Sequence, residues 1–147
     1  MKKIGLLLFI LIGGINTIFS ENGYELWLRY KTVDNQNLLR EYRKKNAAIN
    51  FPAQSDRLLA AKNELVKGLN GLLASEVKEV SSLSNNILIA GTPQSSALIS
   101  KLSFVSEIEG LDAEGYIIRN TKIEGKNTIV IAAKKDIGVL YGVFHYL

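Results

Sequence analysis

Glu114-Gly-Tyr-Ile-Ile-Arg-Asn-Thr121 and the following Asn127-Thr-Ile-Val-Ile-Ala-Ala133 reveal more about the fold than any other part of this 147-residue sequence. Both segments are rich in β-branched residues, which favour strands. The turn Ile123-Glu-Gly-Lys126 between them supplies a glycine, as short hairpin loops require. We therefore predict strands at residues 115–121 and 127–132 that pair as an antiparallel hairpin.

A helix of unusual composition is predicted directly after the hairpin, at residues 136–147. Asp136, a favourable N-cap residue, is its only charged side chain, and no C-terminal helix signal follows. Gly138 and Gly142 lie four apart and let one face approach the sheet closely. A helix that is apolar on every side must be covered on every side, so we expect the other face to need a partner outside this chain. The chain is then a piece of a larger protein whose function lies downstream.

One more buried strand is predicted before the hairpin. Residues 86–90, Asn-Ile-Leu-Ile-Ala, form the short apolar run typical of strands covered on both faces. A short helix is predicted at residues 95–102. The intervening turn, Gly91-Thr-Pro-Gln-Ser95, lacks the lysine and the spaced glycines of nucleotide loops, so we interpret it as structural.

The N-terminal half predicts two helices with a strand between them. The first helix spans residues 35–45, and the strand spans residues 47–51 and ends before Pro52. The side chains expected to face inward from the first helix are Leu38, Leu39 and Tyr42. The basic run Arg40-Glu-Tyr-Arg-Lys-Lys45 in this helix is interpreted as a solvated face.

The second of these helices begins at Ser55 or Asp56 and is clearly amphipathic. Its apolar positions at helical spacing are Leu58, Leu59, Leu65, Val66, Leu69, Leu72 and Leu73. Gly68 and Gly71 lower its intrinsic helix propensity, and we expect them to allow a close approach to the sheet. The helix should therefore cover one face of the core.

A strictly alternating segment, Tyr24-Glu-Leu-Trp-Leu-Arg-Tyr30, predicts a further strand at residues 24–30. Trp27 falls on the same face as two charged side chains. We interpret it as packing against neighbouring structure, with an aromatic platform for sugar binding as the alternative. In total the fold class is α/β (α+β), an open mixed β-sheet with helices packed on it in the order β, α, β, α, β, α, β, β, α.

The first twenty residues are typical of a secretory signal peptide. Lys2 and Lys3 form a basic start, residues 4–15 an apolar core, and Ile18-Phe-Ser20 a plausible cleavage site. The apolar core is too short and too poorly flanked for a stable membrane span, and an uncleaved membrane anchor is the alternative. We expect a signal peptide at 1–20, one domain at 21–147, and a secreted or periplasmic location. The sequence has no cysteine, which excludes a lipoprotein anchor and disulfides.

Charge and residue types exclude several classes of function. The net charge of +4 falls to +2 without Lys2 and Lys3, too little to indicate a nucleic-acid partner. With His145 as the single histidine and no cysteine, neither a metal site nor a Cys-His nucleophile is expected. A loop and strand start are predicted to hold the acidic residues Glu107, Glu109, Asp112 and Glu114, with no periodic face that would fix a catalytic pair. We predict no catalytic residue, no cofactor and no metal in this chain.

Five motifs together resemble one family of sugar-cleaving enzymes. They are Gly23-Tyr-Glu-Leu-Trp-Leu-Arg-Tyr30, Glu64-Leu-Val-Lys-Gly-Leu-Asn-Gly-Leu-Leu73, Ile87-Leu-Ile-Ala-Gly-Thr-Pro93, Glu114-Gly-Tyr-Ile-Ile-Arg119 and Gly138-Val-Leu-Tyr-Gly142. In this combination the chain is similar to the N-terminal domain of bacterial α-glucuronidases of glycoside hydrolase family 67, over nearly all of residues 21–147. The last portion alone is also similar to the accessory domain of hexosaminidase-type glycosidases, and the Trp-Leu-Arg-Tyr opening favours the former.

The resemblance implies an inverting enzyme that removes 4-O-methyl-glucuronic acid from xylo-oligosaccharides derived from glucuronoxylan, with its acid and base on a following TIM barrel. No position here matches a catalytic residue of the family. This chain would support the barrel, docking on it through residues of the last helix, namely Val139, Tyr141, Phe144 and His145. The alternatives are a stand-alone carbohydrate-binding module that uses Trp27, or the equivalent domain of a hexosaminidase-type enzyme.

Overall fold

The computed structural model of the chain describes residues 29–147, in which a five-stranded mixed sheet carries helices on both faces. The helices are α1 Gln36–Lys45, α2 Asp56–Leu73, α3 Val105–Glu109 and α4 Asp136–Tyr146, with a 3-10 turn at Ile99–Lys101. The strands are β1 Ala48–Asn50, β2 Lys78–Glu79, β3 Ile87–Gly91, β4 Tyr116–Ile123 and β5 Lys126–Ala133. The predicted signal peptide and Trp27 lie outside the described residues, as does all of the predicted first strand except Arg29 and Tyr30, which belong to no helix or strand.

The strand order in the sheet is β2-β1-β3-β5-β4. The neighbouring strands β2, β1, β3 and β5 run parallel to one another, and β4 pairs antiparallel with β5. The predicted hairpin is confirmed, and its turn residues Glu124 and Gly125 have φ values of 49° and 76°, the positive pair that a tight type I′ turn needs. The predicted mixed α/β sheet is therefore present, with β4 at one edge.

Two apolar layers hold the helices on the sheet. On one face, α1, α2 and α4 cover Ile49, Leu88 and Ile131 of the central strands. On the other face, the 3-10 turn and α3 cover Ile87, Ile89, Val130 and Ala132. Every residue of β3 is buried, as the continuous apolar run 86–90 predicts.

The helices α2 and α4 lie side by side and run in the same direction. At their starts the Ser55 hydroxyl, which is the N-cap of α2, donates a 2.6 Å hydrogen bond to the Asp136 carboxylate. At their ends Leu147 packs on Gly68, whose added Cβ would lie 2.6 Å from the Leu147 methyl carbons. Asp136 is thus the first residue of α4 and a partner of Ser55, and the N-cap itself is Lys135.

Several predictions about the helices are wrong in detail. Gly68 and Gly71 face Leu147 and Tyr30, not the sheet, because α2 meets other chain segments on that side. Leu38, Tyr42 and Leu59 are exposed, since α1 buries only Leu39 and the outer side of α2 is uncovered.

The connection between β3 and β4 also differs from the prediction. The helix expected at residues 95–102 is only the 3-10 turn Ile99–Lys101, and α3 forms later, where a loop was expected. Pro93 and the local Thr92–Ser95 hydrogen bonds hold the chain in turns up to that point. The two-residue edge strand β2 is a further element that the pattern did not predict, because strands this short have no periodicity.

Candidate functional site

The last helix, α4, is strongly one-sided in its burial. Its buried residues are Gly138, Val139, Gly142 and Val143, and they face the sheet and α2. Gly138 and Gly142 allow the approach to the sheet that the sequence predicts: a Cβ on Gly138 would collide with the Gly115 carbonyl oxygen, and one on Gly142 would lie 2.8 Å from Ile131. Val139 has 0% of its surface exposed. Its predicted role as a docking residue is therefore wrong, because it already belongs to the core.

The opposite side of α4 is apolar and open. We call it the outer face of α4 and define it by Ile137, Leu140, Tyr141, Phe144 and His145. Tyr141 and Phe144 are 41% and 42% exposed, while Ile137 and Leu140 are half-buried. No Asp, Glu, Lys or Arg occurs between residues 137 and 147 to make this face polar. Apolar helix faces of this kind are typical of surfaces that pack against other structure.

His145 at the border of this face is tied to the edge strand β4. Its Nδ1 and the Tyr116 hydroxyl share a hydrogen bond of 2.5 Å, and the two rings meet edge to face at 5.6 Å. The contact joins the end of α4 to the start of β4. His145 thus has a structural partner and remains partly available at the surface.

Tyr146 lies at the end of α4, on the inner side of the helix. Its hydroxyl donates a 2.6 Å hydrogen bond to the side-chain oxygen of Asn46, which is itself buried. Next to it is a cavity of about 420 Å³ whose lining includes Leu69, Leu72 and Leu73 of α2. Burial raises the pKa of Tyr146 to about 12.

We expect Tyr146→Phe to lower the free energy of unfolding by about 1 kcal/mol at neutral pH, because the side-chain oxygen of Asn46 loses the hydrogen bond from the Tyr146 hydroxyl. The wild type should also lose stability as the pH rises from about 10 towards 12, because the unfolded chain releases this proton near its ordinary pKa while the folded chain keeps it. Urea denaturation across this pH range measures both effects. The variant should lack this loss of stability at alkaline pH. If its free energy of unfolding falls with pH as steeply as that of the wild type, another group causes the loss.

Of the acidic residues that the sequence places between Glu107 and Glu114, Glu107 is held in an ion pair with Arg119. The Glu107 carboxylate accepts hydrogen bonds of 2.7 and 3.2 Å from the Arg119 guanidinium, and this partner lowers the pKa of Glu107. The same guanidinium lies over the Phe104 ring at 4.3 Å. Glu109, Asp112 and Glu114 are exposed to solvent. The Arg119 contacts connect α3 to β4, a structural role that sequence reasoning missed because the partners lie twelve residues apart.

Residues 29–147 lack two further features. This part of the chain holds no group of three or more His, Cys, Asp or Glu side chains arranged to bind a metal ion. Within the same residues, no helix has the length and apolar character that crossing a membrane requires.

The pattern for the N-terminal region of glycosyl hydrolase family 67 matches residues 26–146. The chain belongs to this family. The match spans every helix and strand described above, from α1 to the end of α4, and it favours family 67 over the hexosaminidase-type alternative. The open apolar helix α4 thus belongs to the region that matches the family 67 N-terminus.

Known proteins similar to this family 67 domain are much longer than it. The chain is 28% identical over 146 residues to the probable alpha-glucuronidase A of Neosartorya fischeri, a region that covers 97% of this chain and 16% of the relative. It is 28% identical over 151 residues to the alpha-glucuronidase of Hypocrea jecorina, a region that covers 96% of this chain and 17% of that relative. The chain therefore spans about a sixth of the length of these curated relatives.

Proposed function

We propose that this chain is the non-catalytic N-terminal domain of an α-glucuronidase that removes 4-O-methyl-glucuronic acid from xylo-oligosaccharides. The observation that carries the proposal is the family 67 match over residues 26–146. It is supported by the relatives, which are named as a probable alpha-glucuronidase A and an alpha-glucuronidase. A signal peptide at residues 1–20 and a secreted or periplasmic location belong to the same proposal, as does an inverting mechanism on a following TIM barrel.

The outer face of α4 is, in this proposal, where the rest of the parent enzyme packs. Its Tyr141 and Phe144 side chains are two of the five large apolar side chains exposed in residues 29–147, and they lie three apart on one helix. Aromatic side chains are enriched at protein interfaces, and Tyr is among the residue types that most often carry a large share of the binding energy. The relatives are about six times longer than this chain, so a large part of the parent protein is available to cover the face.

The catalytic part of the proposal is tested by activity. The purified chain is expected to release no uronic acid from aldouronic oligosaccharides. The gene beyond the Leu147 codon is expected to continue in frame into a barrel with acidic residues at its strand ends, and this longer protein should be active. Turnover by the chain alone would overturn the assignment of catalysis to another domain.

The docking part is tested with Phe144→Asp, made both in the parent enzyme and in the isolated chain. In the parent it should lower the melting temperature and the activity, because a charge replaces an interface aromatic. In the isolated chain it should change the free energy of unfolding by less than about 1 kcal/mol, since the side chain is already exposed. Leu38→Asp is the matched control, as Leu38 is equally exposed but lies on α1. Equal effects of both substitutions in the parent would contradict docking through α4.

A further inference from the structure

A polar crevice opens at the carboxyl ends of the parallel strands β3 and β5. It has a volume of about 410 Å³ and is distinct from the outer face of α4. We call it the basic crevice, and its lining residues are Arg57, Thr92, Gln94, Lys134, Lys135 and Asp136. Arg57 is in the first turn of α2, Thr92 and Gln94 follow β3, and the remaining three residues follow β5.

The topology of the sheet explains why a crevice forms at this edge. The chain leaves β1 into α2 and leaves β5 into α4, and both helices lie on the same face. From β3, which is between these strands, the chain passes to the opposite face, into the 3-10 turn and α3. Neighbouring parallel strands whose connections go to opposite faces leave a gap at their carboxyl ends, and this is where open α/β sheets bind ligands.

The charge of the crevice is suited to an anion. Arg57, Lys134 and Lys135 are exposed, and none has a carboxylate within salt-bridge distance in the part of the chain that the structure describes. The one acidic residue in the lining, Asp136, accepts the Ser55 hydrogen bond and lies at the first turn of α4. Three cations and one anion leave the crevice with a formal charge of +2 at neutral pH.

Neutral hydrogen-bonding groups accompany the cations. Thr92 is almost completely buried, and its hydroxyl oxygen accepts a 3.1 Å hydrogen bond from the Ser95 backbone N–H, so that its own O–H can be donated to a ligand. Gln94 is exposed and adds an amide that both donates and accepts. The lining contains no aromatic side chain. Cations beside hydroxyl and amide groups match a ligand that has one carboxylate and several hydroxyls.

We propose that the basic crevice binds the uronic acid group of a glucuronic-acid-substituted xylo-oligosaccharide, as a second site apart from the catalytic one. The choice of sugar rests on the proposed function, whereas the preference for an oxyanion rests on the crevice itself. Such a site would hold an acidic chain on the enzyme between cleavage events. Inorganic phosphate is also an anion but lacks the hydroxyl groups of the sugar, so it serves as the comparison ligand in the test.

The experiment is a titration of the isotope-labelled chain, followed by amide chemical shifts. Three ligands are compared: an aldouronic oligosaccharide, the unsubstituted xylo-oligosaccharide of the same length, and inorganic phosphate. The acidic sugar is expected to shift the amides of Thr92, Gln94 and residues 134–136 saturably, and the neutral sugar is not. The double variant Lys134→Gln/Lys135→Gln should weaken binding about tenfold or more, as two charges near a carboxylate predict.

The control is Lys101→Gln, which removes an exposed charge outside the crevice and should leave the affinity unchanged. Higher salt should weaken binding to the wild type, since exposed charges are screened. Absence of saturable shifts, equal binding of the neutral sugar, or tighter binding of phosphate than of the acidic sugar would each overturn the inference. The proposed function is judged separately, by the activity of the parent enzyme, which does not depend on these outcomes.

Discussion

Val139→Asp is expected to lower the free energy of unfolding by about 4 kcal/mol or more, a large part of the stability of a domain of this size. Val139 is fully buried in the layer that joins α2 and α4 to the sheet. A carboxylate there would lose its hydration without gaining a partner, which is among the most costly changes in a core. Urea denaturation followed by circular dichroism measures the loss.

The matched control is Tyr141→Asp, two residues further along the same helix. Tyr141 is 41% exposed, so the new carboxylate remains hydrated and the expected loss is within about 1 kcal/mol. Comparison of the two variants distinguishes the buried side of α4 from its exposed side. The amino-acid composition of the helix does not distinguish them. Similar losses at both positions would show that α4 is packed differently from the arrangement described.

Gly138→Ala is expected to be the second most disruptive change, with a loss of about 2–3 kcal/mol. An alanine Cβ would collide with the Gly115 carbonyl oxygen and lie 2.8 Å from the Ala133 Cβ, so α4 would have to move away from the hairpin. Alanine gains about 1 kcal/mol of helix propensity over glycine, which is smaller than the cost of displacing backbone atoms. Thermal and urea unfolding would report the net effect.

Gly110→Ala provides the comparison for this prediction. Gly110 has a φ of −77°, and a Cβ there would be 3.4 Å from its nearest neighbour, the Ser106 carbonyl oxygen. The substitution should be neutral or slightly stabilising, because alanine restricts the unfolded chain. If both substitutions were neutral, the close contact between α4 and the hairpin would not exist in solution.

The positions of most elements could be predicted from local pattern. β-branched residues with a Glu-Gly turn specified the β4–β5 hairpin, and the apolar run at 86–90 specified the buried strand β3. Asn35 and Ser55 were correctly expected near the starts of α1 and α2, since their side chains cap the backbone locally. These signals act over a few residues, so one sequence is enough to read them.

The candidate site was predicted only in part. Composition shows that α4 carries no Asp, Glu, Lys or Arg after Asp136 and is therefore expected to need covering. It does not distinguish Val139 from Phe144, because it does not show which side of the helix faces the sheet. Burial of Val139 and exposure of Phe144 are decided by how α4 rests on Gly115 and on α2. The basic crevice was not foreseen at all, because Arg57, Thr92 and Lys134 come from three separate connections.

By itself, the sequence determined the class of fold, the hairpin, the buried central strand and the resemblance to family 67, because propensity, capping and hydrophobic periodicity are local properties of the chain. Only the tertiary structure decided which side of α4 is open, that Arg119 holds Glu107, and that three cations line one crevice. These depend on contacts between residues far apart in the chain, such as Ser55 with Asp136 across 81 positions. No local pattern records them, since they arise only when the helices are placed on the sheet.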